Sequence, residues 1–287
     1  MKILCTFLLC FIAHHFCNAQ TESTLNKKEQ LAPWFVQKYR ISIGTFIPIS
    51  NTNIQVGLTN GNMGTDIDFE NDLGFTKSSG TFIAEFKYRL SKRSRFDLGY
   101  FRINRKSTKT ITEDINFGED TYPANTSIGA FFKTDIYRFS YGYSVIQQPK
   151  FEVGFLIGAH IINSKTGLSA IGNNIGISLE NDFGFTAPLP DLGIWGGYTF
   201  SKRFAVNAEV NYLALKVGDI GGRILGGSLS FLYRVTKQFD LGLGYTGLNF
   251  NIDVTKPKLS GSFKWGYNGP SLTAHYSFGK KYWEEKK

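Results

Sequence analysis

The sequence predicts an all-β chain, closed as an antiparallel up-and-down transmembrane β-barrel of about ten strands, within a range of roughly eight to twelve. Three observations carry this expectation. The first is strict period-two alternation: Phe239, Leu241, Leu243 and Tyr245 alternate with Asp240, Gly242, Gly244 and Thr246, and Phe151, Val153, Phe155 and Ile157 alternate with Glu152, Gly154, Leu156 and Gly158. Such alternation gives a strand two different environments, one on each face. The second is repetition. Four strand openings read alike (Arg95–Tyr100, Lys150–Phe155, Arg203–Ala208, Gln238–Leu243), and each follows closely on an aromatic strand ending at Tyr88, Tyr143, Tyr198 or Tyr233, which is hairpin spacing. The third is composition. With 15% aromatic residues, 26 Phe and 14 Tyr, the chain is not disordered, and no run of apolar residues beyond position 20 is long enough for a spanning helix.

Taken from the N-terminus, residues 1–19 read as a secretory signal. Lys2 is the basic start, Ile3 to Ala13 the apolar stretch, and Cys17-Asn18-Ala19 the small-residue cleavage site before Gln20. Cys5, Cys10 and Cys17 all fall within it, so the mature chain is expected to hold no disulfide, thiolate metal site or cysteine nucleophile. Lys2 leaves with the signal, which lowers the formal charge by one from +9. A basic excess in an exported chain suits anionic partners at a surface and gives no case for nucleic acid.

Residues 20–38 are expected as a periplasmic N-terminal segment, 39–279 as the barrel and 280–287 as a charged tail whose Trp283 sits at headgroup level. The first strand is expected near 39–47, where Ile41, Ile43 and Ile47 alternate with polar residues. Tight turns are expected near 92, 148, 202 and 237, and longer polar loops at 50–78, 104–127, 163–182, near 218–222 and at 256–258. Four turns and five loops give ten strands; an extra turn at Asn268-Gly269-Pro270 is rejected because the last strand carries the ending phrase of an inbound strand. The phrase Phe69-Glu70-Asn71-Asp72-Leu73-Gly74-Phe75-Thr76 returns as Leu179 to Thr186, and Ser91-Lys92-Arg93 returns as Ser201-Lys202-Arg203, which implies a repeated supersecondary unit. A soluble barrel or sandwich with the aromatic column turned inward is the rival architecture, and alternation alone does not separate the two.

The signal, the alternating aromatic strands and the final strand Leu272–Phe278 resemble small bacterial outer-membrane β-barrels of the OmpA- and OmpW-like type. The resemblance covers about residues 39–279. It implies outer-membrane localisation, contact with outer-membrane lipid and lipopolysaccharide, and recognition of Tyr276 and Phe278 by the barrel-assembly machinery. It carries no catalytic motif, no cofactor and no metal, and leaves the oligomeric state open.

Following the alternation inward predicts a lumen charge network of acids Glu85, Asp97, Glu152, Glu209 and Asp240 and bases Arg40, Lys87, Arg89, Arg138 and Arg234. Turn symmetry pairs Arg89 with Asp97 and Arg234 with Asp240, since opposed side chains on one face can bridge. A candidate rim cation site is Asp66, Asp68, Glu70 and Asp72, because calcium takes oxygen ligands from such runs. A candidate lipopolysaccharide contact is Arg102, Arg105, Lys106 and Lys109, because basic side chains bind phosphate strongly. His275 and Ser277 lie on one strand face and resemble the H-x-S pair of outer-membrane lipid A deacylases. With no carboxylate placed to orient the histidine, they are read as a polar lumen pair, and His160 likewise as structural. The expected function is a non-enzymatic outer-membrane barrel, structural or a narrow pore with a charge-paired lumen. The alternatives are a surface-binding barrel acting through its long loops and, behind that, a lipid-modifying enzyme.

Overall fold

Why the alternation closes on itself is seen in the computed structural model, which describes residues 33–61, 63–170, 180–255 and 257–280. Residues expected to form the signal (1–19), most of the N-terminal segment and most of the tail lie outside these. The strands are β1 (Tyr39–Phe46), β2 (Ile49–Leu58), β3 (Asp66–Asp68), β4 (Thr81–Arg89), β5 (Ser94–Thr110), β6 (Ile115–Phe117), β7 (Asp120–Tyr122), β8 (Ser127–Gln148), β9 (Phe151–Ala170), β10 (Glu180–Thr199), β11 (Phe204–Val217), β12 (Ile220–Arg234), β13 (Phe239–Thr255) and β14 (Leu259–Phe278). All pairings are antiparallel. The order β1-β4-β5-β8-β9-β10-β11-β12-β13-β14 closes through β1 against β14. Closure leaves no unpaired terminal strand in the ring, and pairing of backbone groups within a closed wall is the condition for strands to cross a bilayer.

Fourteen strand segments are described, more than the ten or so expected. The surplus has a physical origin. β1 and β2 lie on one line against β14, from Tyr39↔Phe278 to Leu58↔Leu259, and Pro48 interrupts them because it has no N–H for the ladder. β3, β6 and β7 are three-residue strands inside the connections. The expected loops are also corrected. Residues 163–170 and 180–182 are strand, with 171–179 of that expected loop outside the described residues. β2 occupies 49–58 and β5 runs to Thr110, so the expected loops 50–78 and 104–127 give way to connections at 59–80 and 111–126.

Three of the four tight turns share one construction. The hydroxyl of Ser91, Ser201 or Thr236 accepts from the backbone N–H groups two and three residues on, at 3.0–3.3 Å. Backbone bonds Leu90 N to Ser94 O, Phe200 N to Phe204 O and Val235 N to Phe239 O close the same turns. Next to them Tyr39 stacks on Tyr88 and Phe278, and Phe204 packs on Tyr233, forming the aromatic rim of the turn end, the periplasmic end in such barrels. The longer repeat behaves differently. Residues 70–76 form a non-strand turn, whereas their echo 180–186 lies in β10; the copies share sequence, not secondary structure.

Along each strand the apolar column changes face. Near the turns it points outward: Leu241, Leu243, Tyr245, Leu272, Phe155 and Ile157 are all exposed. Further out it points inward. On β13 Leu248, Phe250, Ile252 and Val254 are buried, and on β14 Phe263, Trp265 and Tyr267. On β5 Phe101 and Ile103 are buried while Arg102, Asn104 and Lys106 face outward. The outward column is the lipid belt; beyond it the exterior is water, and the apolar side chains turn into the lumen. That sequence of environments places the chain in a membrane with its outer half projecting beyond it.

Candidate functional site: a polar chamber beneath an apolar plug

The inward residues divide the lumen into two compartments. In the outer one Phe69, Leu73 and Phe75 from 59–80, and Ile111, Ile115, Phe117 and Tyr122 from 111–126, join the inward side chains of the strands in one buried apolar cluster. Phe69 packs edge-on against Phe132 at 6.0 Å between centroids, and Phe132 against Trp265 at 5.4 Å. Segment 59–80 is pinned by a buried polar knot. Arg105 Nη1 donates to Glu70 Oε1 and Nη2 to Thr52 Oγ1, both at 2.5 Å, and the Thr52 backbone N–H donates to Glu70 Oε2 at 2.8 Å. The 111–126 hairpin turns at Gly118, whose φ of +67° favours glycine, and is tied to 59–80 by Thr65 N to Asn116 O. Its Tyr122 hydroxyl donates to Leu168 O at 3.0 Å, and burial pushes that phenol up to about 12.

This changes two of the expected sites. Arg105 does not face the outer wall and contacts no lipid; it is buried under the plug with Glu70. Lys109 donates to Asn71 O, which leaves Arg102 and Lys106 as the outward-facing members of that set. Glu70 is likewise withdrawn from the acidic run. Asp68 accepts from Asn71 and Asp72 from the Asp68 N–H, while Asp66 stands on the exposed edge of β3. Among the described residues no group of three or more His, Cys, Asp or Glu is placed to hold a metal ion.

Between the plug and the turn end lies a chamber of about 250 Å3, roofed by Phe46, Phe101 and Tyr267 and floored by Phe35. The floor comes from the expected periplasmic segment. Trp34 and Val36 are buried at the turn end, with Trp34 packed on Ala205 and Leu232. The inward charges surround this chamber, with partners different from those expected. Arg89 is opposed by Arg95, not Asp97, and forms a two-pronged pair with Glu152, 2.7 Å on each arm. Arg234 is opposed to Asp240 in register, but Asp240 is taken by Arg40 at 2.5 Å. Arg234 turns instead to the carbonyls of Thr236 and Lys237, its guanidinium 5.6 Å from the Trp34 ring.

Arg138 pairs with Glu209, and Lys87 stands 3.8 Å from Glu85. The last two side chains point inward yet keep 31% and 45% exposure, so the chamber surface is open to water there. Arg95, absent from the sequence-derived network, contacts Asp97 at 3.1 Å and lies 3.5 Å over the Trp195 ring. It has the same strand parity as Asp97, and that parity was the available signal.

The histidines sit in the same compartment. His275 bonds Ser42 Oγ through Nδ1 at 2.7 Å and Thr273 Oγ1 through Nε2 at 2.9 Å, while Ser277 accepts from Arg40. The two therefore both face the lumen as polar residues, each bonded to a neighbour rather than to the other. His160 Nδ1 stands 3.0 Å from Asp191 Oδ2, which also accepts from Asn211. His275 is held by hydrogen bonds from wall to wall, and His160 by its close contact with Asp191, both beneath the plug.

No protein-family model and no curated protein matches the chain. Solved structures do. The outer membrane protease OmpT from Escherichia coli aligns with a TM-score of 0.55 at 12% identity, over 85% of this chain and 98% of that one. The translocator domain of the autotransporter NalP from Neisseria meningitidis gives 0.46 at 11% identity, over 84% and 89%. The attachment invasion locus protein Ail of Yersinia pestis gives 0.30 at 10% identity, over 82% and 98%. At 12% identity the likeness to OmpT is one of fold, and that fold is the outer-membrane β-barrel.

Proposed function

We propose that this outer-membrane β-barrel is a non-enzymatic, non-conducting envelope protein, closed along its axis. One observation carries the reading: the outer half of the lumen is packed with buried Phe, Trp, Ile and Leu side chains, including those of the inturned segments 59–80 and 111–126. A solute path would have to cross that layer, and charged or hydrated groups do so at high cost. The charge-paired chamber beneath it is then a solvated internal space rather than a filter. The same layer argues against an enzyme. The Ser42–His275 and His160–Asp191 pairs lie on its inner side, out of reach of an outer-leaflet or extracellular substrate.

The test is current through planar bilayers holding the purified, heat-modifiable protein. We expect no stable conductance steps; large porin-like steps would replace this reading with a diffusion channel.

A second reading has its own observation. Lys133 on β8 is directly opposed to Lys165 on β9, both outward and exposed, and Arg102 and Lys106 face outward on the adjoining β5. Lys165 also meets Asp182 at 2.5 Å and Arg102 meets Asp135 at 3.4 Å, which leaves a net basic face. This basic wall begins where the lipid belt ends, at headgroup level, which favours lipopolysaccharide phosphate as a surface partner. Assembly through the Tyr276–Phe278 strand end belongs to the same proposal. Binding of lipopolysaccharide that survives both dephosphorylation and Lys106, Lys133 and Lys165 to Gln would defeat the surface reading.

A further inference from the structure

The wall is not uniformly laddered. Between β9 and β10 the pairing runs from Tyr198↔Phe151 up to Glu180↔Ser169. Between β10 and β11 it stops at Leu192↔Tyr212, although β10 continues to Glu180 and β11 to Val217, each still paired on its other side. The sequence accounts for the break. On β10 the Thr199 N–H is bonded toward the β9 side (Lys150 O), and the Phe200 N–H toward β11 (Phe204 O). By alternation, even-numbered residues of β10 present their nitrogen to β11. The two even positions next above Leu192 are Pro190 and Pro188, which have no N–H to give. Two ladder donors are thus deleted in succession on the one edge where prolines are tolerated, a strand edge.

The opening is shaped and apolar. It holds a cavity of about 110 Å3 lined by Pro188, Leu189, Pro190, Leu213, Leu215, Gly222 and Ile224, with no charged side chain among them. Leu189 reaches across the break onto β12, where a Cβ on Gly222 would stand 2.3 Å from Leu189 Cδ2, so a side chain there would have to displace the end of Leu189. Leu215 has inward parity and should complete the plug as Leu189 and Ile224 do, yet it is 48% exposed. A comparable gap between β2 and β5, above the short β4, is filled by segment 59–80 through Ser107 Oγ to Leu73 O and Arg105 to Thr76 O. No described strand fills the interval between β10 and β11.

We propose that the β10–β11 break is a lateral port that seats an acyl chain of an outer-leaflet lipid. The cavity stands at the top of a stripe of lipid-facing side chains, Leu192, Ile194, Val210 and Tyr212, so lipid is the material already lying against its mouth. Its lining side chains are all apolar, and dry apolar cavities of roughly 150 Å3 accept guests as small as benzene. A few methylenes are enough to fill a space of that size.

The experiment uses the full-length mature chain in phosphatidylethanolamine vesicles carrying a diazirine on one acyl chain, with adducts mapped by mass spectrometry. The expected result is labelling of the inward-parity residues Leu189, Leu213 and Leu215 as well as the outward Val210 and Tyr212. Inward residues at the fully laddered β12–β13 pair, such as Leu232, should stay unlabelled. Replacing Pro188 and Pro190 by Thr restores two ladder donors, and at about 1 kcal/mol each should cut inward labelling by about tenfold or more while leaving Val210 and Tyr212 unchanged. Labelling confined to outward residues in the unmodified chain overturns the port. So does inward labelling by free diazirinyl-toluene but not by the lipid, which would make the guest a small apolar solute. The wild-type map decides these outcomes even if the double variant does not fold.

Discussion

Outward Leu243 and outward Asn249 sit six positions apart on β13, on the same face, and the structure gives them different surroundings. Leu243 lies 62% exposed in the lipid belt, whereas Asn249 is past the point where the column turns inward. Leu243→Arg should therefore cost about 2–4 kcal/mol of stability in detergent or bilayer, and Asn249→Arg about 0–1 kcal/mol. Urea unfolding followed by tryptophan emission reads both; equal costs would mean that the belt does not end there. The Glu70–Arg105 knot gives a second test. Glu70→Ala strands a buried guanidinium and should cost about 3–5 kcal/mol, while the paired change Glu70→Leu with Arg105→Met should recover most of it. A loss in the double variant as large as in the single one would show that the pair does more than neutralise itself.

Tyr122 supplies a pH signature. Its phenol is raised from 10.0 to about 12 by burial, so its protonated, donating form is favoured by folding. That contribution is fully present below about pH 10 and is lost as pH rises through about 12. Absorbance of Tyr122→Phe against the parent near 295 nm should show the missing tyrosinate appearing only at the top of that window. A difference signal complete by pH 10 would place Tyr122 in water.

At the scale of strands and connections, the sequence carried the turns and the facing of the lower wall clearly. Ser91-Lys92-Arg93 and Ser201-Lys202-Arg203 are the same hydroxyl-capped turn, and Asp240 and Glu152 point inward where the alternation placed them. The charge partners were not legible in the same way. Opposed residues across one turn give Arg234 to Asp240, but a closed ring brings Arg40 to that carboxylate from the far end of the chain. Plug formation was legible in a signal left unused, the shift from Leu241, Leu243 and Tyr245 to Leu248, Phe250, Ile252 and Val254. A column that moves from odd to even positions within one unbroken strand marks a change of solvent outside. The acidic phrase 66–72 hid the plug further, because its charges suggested a solvated loop while Phe69, Leu73 and Phe75 were its buried part. Truncating Phe69 to Ala should loosen the connection, and limited proteolysis within 59–80 should then rise sharply over the parent. Unchanged protection would mean that segment is held by the Glu70–Arg105 knot alone.

For the molecule as a whole, a two-zone lumen follows: hydrated and charge-paired toward the turns, dry and aromatic toward the loops. That division separates this barrel from one whose interior is polar from end to end. The most direct measurement is a nitroxide scan of β13 from Phe239 to Val254 in bilayers, one cysteine at a time, reading collision with oxygen and with a polar nickel chelate. The sequence holds cysteine only at positions 5, 10 and 17, so a mature chain cleaved after Ala19 offers no competing thiol. A sealed barrel gives oxygen-dominated peaks at 241, 243 and 245, nickel-dominated peaks at 249, 251 and 253, and protection from both probes at 248, 250 and 252. Nickel access at 250 and 252 would mean an open lumen, and oxygen peaks continuing at odd positions through 253 would mean no change of environment; either contradicts the sealed barrel.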